Sequence, residues 1–472
     1  MFMRSIYDEG LAQAAYLIGC PKSGRAVLFD PLRDVDRYIA LAAAHGLEIS
    51  AVAETHIHAD FVSGARELAE RTGAHVYVSG EGGPDWRSRW LNGQPAGGYA
   101  HTELRDGDTF SIGGIEITAV HTPGHTPEHL IYLVTDRGGG ATDPIGVITG
   151  DFLFVGDLGR PDLLETAAGQ VGMMEPSARA LYATIASLDA IPDYCQVWPG
   201  HGAGSACGKA LGAVPMSTVG YERRFNPALK AATGEQAFVS FILDGQPEPP
   251  VYFADMKRVN RDGPAVLGSL PEPARQTPGE LASVDARTTA IIDTRPWEQF
   301  RAGHIPGSLS LPPDKSFCSD AGSFVRADEP IRLIADPRDL EGLIRGLVRV
   351  GLDRIEGWCP SGEVTASSFA TAKVEEVKVD RAGSLAPGEA VLDVRRRSEF
   401  DEGHIPGAAN IAHTRLLVRG GEVPGVDRLL VCCRSGKRSA RSCSHLKRLG
   451  HDVLNVEGGF LAWEASGAAI ER

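Results

Sequence analysis

The second half of the chain repeats itself, and the repeat constrains the fold more than any other feature. Ile292-Asp293-Thr294-Arg295, followed by Gly303-His304-Ile305-Pro306-Gly307, recurs as Leu392-Asp393-Val394-Arg395 and Gly403-His404-Ile405-Pro406-Gly407. The step from Asp293 to Asp393 is 100 residues, the size of a small domain rather than of one solenoid turn. Each copy continues through a second apolar strand (Ile331–Ala335; Leu429–Cys432), then a helical pattern, then a glycine. Strand–helix alternation of this kind builds a small parallel α/β domain.

Ahead of the repeat, short apolar segments alternate with helical stretches and with loops rich in Gly, Pro and His. Ala26–Phe29, Ser50–Ala53, Val76–Val78, Ile115–Val120, Leu130–Val134 and Gly146–Thr149 read as buried strands, and Asp34–His45 as a helix stopped by Gly46. Seven prolines between Asp244 and Gly279 read as a linker or strap rather than a regular element. Three domains follow: 1–255, then 256–370 holding the linker and the first repeat, then 371–472. The fold class is α/β throughout. A net charge of −14 argues against a nucleic-acid partner. Apolar runs are strand-sized and the start lacks a secretory pattern, so no membrane association and a cytoplasmic location are expected. The eight cysteines form no compact disulfide framework and read as reduced thiols.

Four loops, each leaving a strand, carry the chemistry of the first half: Glu54-Thr55-His56-Ile57-His58-Ala59-Asp60-Phe61, His121-Thr-Pro-Gly-His125-Thr-Pro-Glu-His129, Thr149-Gly150-Asp151, and Trp198-Pro-Gly-His201. A single histidine at a strand end is usually a hydrogen-bonded loop residue. Four such loops with His or Asp instead suggest a metal site at one sheet edge. These motifs resemble the metallo-β-lactamase fold over about Ile6–Tyr252, in its glyoxalase II and persulfide dioxygenase branches. The resemblance implies an αββα sandwich of two face-to-face sheets with outer helices.

Phe61 decides between the branches. Dinuclear members of this family carry a ligating histidine there, and phenylalanine cannot ligate. A second site built from Asp60, Phe61 and His201 therefore lacks an arm. The resemblance leaves one metal on His56, His125 and Asp151, the facial-triad set of non-haem Fe(II) oxygenases, with zinc as the less favoured occupant. His58 and Asp60 are then expected to take part in catalysis by orienting ligands or relaying protons. Arg160, in Gly156-Asp157-Leu-Gly159-Arg160-Pro-Asp162, is expected either to bind a carrier thiol's acidic group or to pair with Asp157 or Asp162. Cys207 sits in a Gly-rich stretch near Lys209. It reads as a buried thiol or as a persulfide-handling substrate contact.

In the last domain, Val431-Cys432-Cys433-Arg434-Ser-Gly-Lys437-Arg438 is a strand running into a tight loop and a helix. Backbone N–H groups, the helix N-terminus and Arg434, Lys437 and Arg438 all favour a nucleophilic Cys433 thiolate and an anionic substrate. With Asp393-x-Arg395, Glu399-Phe400 and Glu457-Gly458-Gly459-Phe460, this resembles a rhodanese, whose cysteine carries sulfane sulfur. In the first repeat, aligning Leu333–Ala335 with Leu430–Cys432 puts Asp336 at the nucleophile's position, so that copy reads as inactive.

The combination resembles bacterial persulfide dioxygenase–sulfurtransferase fusions. It implies Fe(II)-dependent oxidation of a low-molecular-weight persulfide by O₂ to sulfite, with thiosulfate formed at Cys433, in a homo-oligomer. Two rivals are a zinc thioester hydrolase of glyoxalase II type and a sulfur carrier whose first domain is not catalytic.

Overall fold

A computed structural model of the chain describes residues 1–93, 98–167, 169, 171–209 and 211–472. It divides into two compact units, Met1–Ser269 and Leu270–Arg472.

In the first unit, six strands lie side by side in chain order: Phe2–Asp8, Gln13–Cys20, Arg25–Phe29, Glu48–Ala53, His75–Ser79 and His101–Leu104. A second six-stranded sheet runs Ser217–Thr218, Gln196–Pro199, Gly146–Gly150, Leu130–Thr135, Ile115–His121 and Thr109–Ile112. Tyr16, Ile18, Val27 and Phe29 of the first sheet meet Ile117, Tyr132, Ile148 and Trp198 of the second in one core between the sheets. A separate core on the outer face of the second sheet takes Ile131, Val147 and Val197 against Leu181 and Phe238, which lie in the helices Met174–Thr184 and Glu235–Leu243. Strands buried on both faces explain why Gln13–Cys20 and Gly146–Gly150 show no polar alternation. The unit is the αββα sandwich expected from the sequence.

The stretch Asp244–Gly279, expected as a linker or strap without a regular element, contains a ten-residue helix, Phe253–Asp262. Its prolines fall before and after it, where they end the chain's turns without entering the helix. The segment after it is a strap: Leu267 N–H and Gly268 N–H each donate to the Glu67 carboxylate at 2.8 Å, and Arg66 donates to Pro264 O.

The second unit holds two five-stranded parallel sheets of the same order. One runs Ala274–Arg275, Ile355–Pro360, Ile331–Ala335, Ala290–Asp293, Leu309–Ser310, and the other Glu375–Val377, Val453–Val456, Arg428–Cys432, Glu389–Asp393, Ala409–Asn410. The repeated Asp-x-Arg is a buried bidentate pair in both copies, Arg295 on Asp293 and Arg395 on Asp393, and each guanidinium also donates to the carbonyl of Gly303 or Gly403. The motif recurs because it ties strand end to loop, with no reacting group involved.

Sheet register corrects the sequence alignment by one residue. Asp293 pairs with Ile334, and Asp393 pairs with Cys432. Ile334 therefore corresponds to Cys432, and Ala335, not Asp336, stands where Cys433 does. Asp336 instead closes on Arg338 in an exposed pair.

Candidate metal centre and cysteine loop

Strand Glu48–Ala53 delivers His56, the hairpin after Ile115–His121 delivers His125, and the end of Gly146–Gly150 delivers Asp151. Their donor atoms lie within 4.8 Å of one another, and all three residues are buried. Asp151 Oδ2 is 4.0 Å from His56 Nε2 and 3.5 Å from His125 Nε2. That oxygen has no hydrogen-bond partner. Burial, reinforced for His56 by the surrounding imidazoles, pushes the pKa values of His56 and His125 down, so both imidazoles are neutral at neutral pH. Burial alone would raise Asp151, yet the neighbouring imidazoles, His201 foremost, hold it well below the usual carboxylate range. A bare carboxylate oxygen facing two neutral imidazole nitrogens in a buried site fits a divalent cation, which would supply the missing partner.

Each donor is fixed from behind. His56 Nδ1 lies 2.9 Å from Thr55 Oγ1, which donates to Asp30 Oδ2 at 2.9 Å. His125 Nδ1 lies 3.0 Å from Arg160 O. Asp151 Oδ1 is 2.7 Å from His201 Nδ1, and Asp151 N–H donates to His129 Nε2. Such partners hold ring orientation and tautomer. Gly150 is required where it stands: its φ is +47°, and a Cβ would lie 2.6 Å from Thr55 Oγ1 and 2.8 Å from His129 Nε2. Sequence reasoning places His201 in the second donor set and names Thr55 and His129 only as members of their loops, and it misses Asp30. Asp30 had a legible signal, an acid directly after a buried strand, and it adopts φ 48° there.

His58 and Asp60 occupy separate networks. His58 Nε2 is 3.1 Å from Asp30 Oδ1 and 3.0 Å from Glu54 Oε2, and its ring stacks on Phe61 at 4.3 Å between centroids. Burial opposes its protonation, but Asp30 and Glu54 prevail and raise its pKa well above the ordinary value. Asp60 Oδ2 is 2.7 Å from His201 Nε2, so His201 bridges Asp60 to Asp151. Phe61 is fully buried. The second donor set does not lack an arm, however: Cys207 joins Asp60 and His201 to form a buried three-donor group. The Cys207 thiol is pushed up to about 12 by burial, then by Asp60, and stays protonated.

Of the two expectations for Arg160, the structure forms the pair with Asp162. The Arg160 side chain is 1% exposed, Nε and Nη2 donate to Asp162 at 2.8 and 2.6 Å, and Nη1 donates to Ala206 O at 2.9 Å. Lys209 turns away from Cys207 and bonds the carbonyls of Phe241 and Asp244.

In the second unit, Cys433 Sγ accepts from Gly436 N–H at 3.1 Å and Ser439 Oγ–H at 3.4 Å, at the start of helix Lys437–Arg448. Arg434 and Lys437 are exposed around it. Arg438 is committed to Glu399 through two bonds of 2.7 and 2.8 Å, which removes it from the free cations expected there. Cys432 is the buried last residue of the strand Arg428–Cys432, and burial raises its pKa far above the ordinary thiol value.

A two-sheet sandwich with its His and Asp donors at one sheet edge defines a metal-binding fold. A model described as the metallo-beta-lactamase superfamily matches residues 8–201, and a rhodanese-like domain model matches residues 277–335 and 376–466. The crystal structure of a metallo-beta-lactamase from Staphylococcus aureus is 39% identical with a TM-score of 0.67, and the match covers 76% of this chain and 99% of that one. A probable metallo-hydrolase of Burkholderia pseudomallei is 29% identical over 58% of this chain and 95% of its own length. The mitochondrial persulfide dioxygenase ETHE1 of Bos taurus is 26% identical over 50% of this chain and 78% of its own. The chain belongs to the metallo-beta-lactamase superfamily and carries rhodanese-like domains in its second unit. Among the described residues, no helix is long and apolar enough to cross a membrane.

Proposed function

We propose that the chain oxidises a low-molecular-weight persulfide to sulfite at an Fe(II) held by His56, His125 and Asp151, and that Cys433 then makes thiosulfate. The observation that carries this is the unpartnered Asp151 Oδ2 facing His56 Nε2 and His125 Nε2, a two-His, one-carboxylate set. A ferrous ion held by these three residues would supply the redox chemistry for a reaction with O₂. The protein's part is to hold the three donors neutral or anionic, to fix them through Thr55, Arg160 O and His201, and to exclude bulk water. The balance is R–S–SH + O₂ + H₂O → R–SH + sulfite + two protons. The Cys433 thiolate takes the outer sulfur of a second R–S–SH, releasing R–SH, and the resulting Cys–S–S⁻ is attacked by sulfite; the S–S bond breaks, thiosulfate leaves, and the electron pair returns to the Cys433 thiolate. Gly436 N–H and Ser439 Oγ–H stabilise that thiolate, while Arg434 and Lys437 attract the dianion.

The test is oxygen uptake by anaerobically purified, iron-loaded protein given a thiol persulfide. Uptake should be lost, with iron content falling to background, in His125→Ala. Uptake independent of persulfide sinks the proposal. The hydrolase reading retains one specific support, the Asp60–His201–Cys207 donor set. Two zinc ions per chain with thioester hydrolysis would establish it instead.

A further inference from the structure

The metal-donor loop is closed by a single amide from a distant helix. Asn260 lies in Phe253–Asp262, beyond the stretch that the superfamily model matches. Its Nδ2 donates to His58 O at 2.8 Å and Phe61 O at 2.7 Å, and its Oδ1 accepts from Ser63 N–H at 2.9 Å. The residue is 6% exposed, and one side chain thus satisfies three backbone groups of a turn that has no regular hydrogen-bond ladder of its own. The same turn begins two residues after His56 and ends at helix Ala65–Thr72, whose Glu67 and Arg66 hold the strap that follows Asp262. We propose that Asn260 is a positioning residue for the metal centre: it sets the 58–63 turn so that His56 is presented preformed, and the strap exists to keep Asn260 in place.

The chemistry fits an amide and no other common side chain of this size. The turn needs two donors and one acceptor, which an aspartate cannot supply and a leucine cannot mimic. Loss of a buried partner that orients a donor typically lowers metal affinity 10–100-fold. The inference rests on the metal reading above, so its test has one arm without metal.

In full-length, metal-free protein, hydrogen exchange of the Ser63 amide should quicken by roughly tenfold or more in Asn260→Ala and Asn260→Leu, while amides in the strand Gly146–Gly150 keep their rates. In the second arm, chelator competition with Fe(II) or Co(II) should give a dissociation constant raised 10–100-fold in both variants. Ile242→Ala, a buried core change in the same unit, lowers stability without touching the turn and should leave the metal constant unmoved. Unchanged Ser63 exchange, or a metal constant within twofold of the parent, overturns the proposal. So does a loss equal to that of Ile242→Ala, or failure of both Asn260 variants to fold, since each makes the residue a general stabiliser. If the parent protein binds no metal at all, the metal reading fails, and the exchange arm still decides whether Asn260 holds the turn.

Discussion

Replacing Arg160 with methionine removes a guanidinium whose three nitrogens each donate to a partner inside the protein. Methionine fills similar volume, so the main effect is electrostatic: Asp162, 3% exposed, loses its bidentate partner and is left as a buried, unpaired carboxylate. Breaking a buried pair from one side costs about 3–5 kcal/mol. Against a total stability of about 5–15 kcal/mol, that is a large fraction. For a unit of this size it corresponds to a Tm lowered by roughly 6–20 °C. The His125 contact survives in principle, because it uses the Arg160 carbonyl and not the side chain. Calorimetry with steady-state kinetics on the same samples separates the alternatives. The structural account predicts a large fall in Tm, partial recovery in Arg160→Met/Asp162→Leu, and a KM within about threefold of the parent for the fraction still folded. An unchanged Tm with a tenfold or greater rise in KM refutes the reasoning and returns Arg160 to the substrate.

Further expectations follow from the same geometry. Cys433→Ser should abolish sulfur transfer to sulfite while leaving persulfide-dependent oxygen uptake in place, and Cys432→Ala should spare both; a sulfur-transfer assay with each variant checks this. Cys207 should resist alkylation by iodoacetamide at pH 8 in native protein and react after unfolding, because burial and Asp60 hold its thiol up at about 12; labelling seen by peptide mass spectrometry before unfolding contradicts this. His445 is depressed to about 4 by burial, and both its ring nitrogens are buried without a hydrogen-bond partner. The unfolded chain therefore binds more protons than the folded one between about pH 6.5 and 4, and the contribution of His445 to stability is present above 6.5 and lost as pH falls. His445→Phe keeps the stack on Phe324 and should raise Tm, more at pH 5 than at pH 7.5; a lower Tm for the variant at pH 5 contradicts the account.

Strand positions in the first unit were readable because buried strands are short, apolar and bounded by Gly or Pro. The observed Arg25–Phe29 and Gly146–Gly150 extend the segments read from sequence by one residue each. Residue type marked the loops after the strands as carriers of His and Asp, and the family resemblance picked out His56, His125 and Asp151, whose donor atoms lie within 4.8 Å of one another; the strand–loop–helix pattern marked Cys433 at the start of a helix. The internal repeat likewise determined two similar small domains. Contacts whose information lies far apart in the chain stayed out of reach. Asn260 and the loop it closes are about 200 residues apart, and no local periodicity records that pairing. The choice between Ala335 and Asp336 was a one-residue register question, settled only by the partner strand. Arg160 carried the same composition in both of its readings; burial and the nearness of Asp162 and Ala206 O decided between them. Cys207 completes a donor set with Asp60 and His201 because the sandwich brings the loop after Gln196–Pro199 over the loop after Glu48–Ala53. Local chemistry is written in residue type and spacing, whereas partnership is decided by which surfaces the packed sheets bring together.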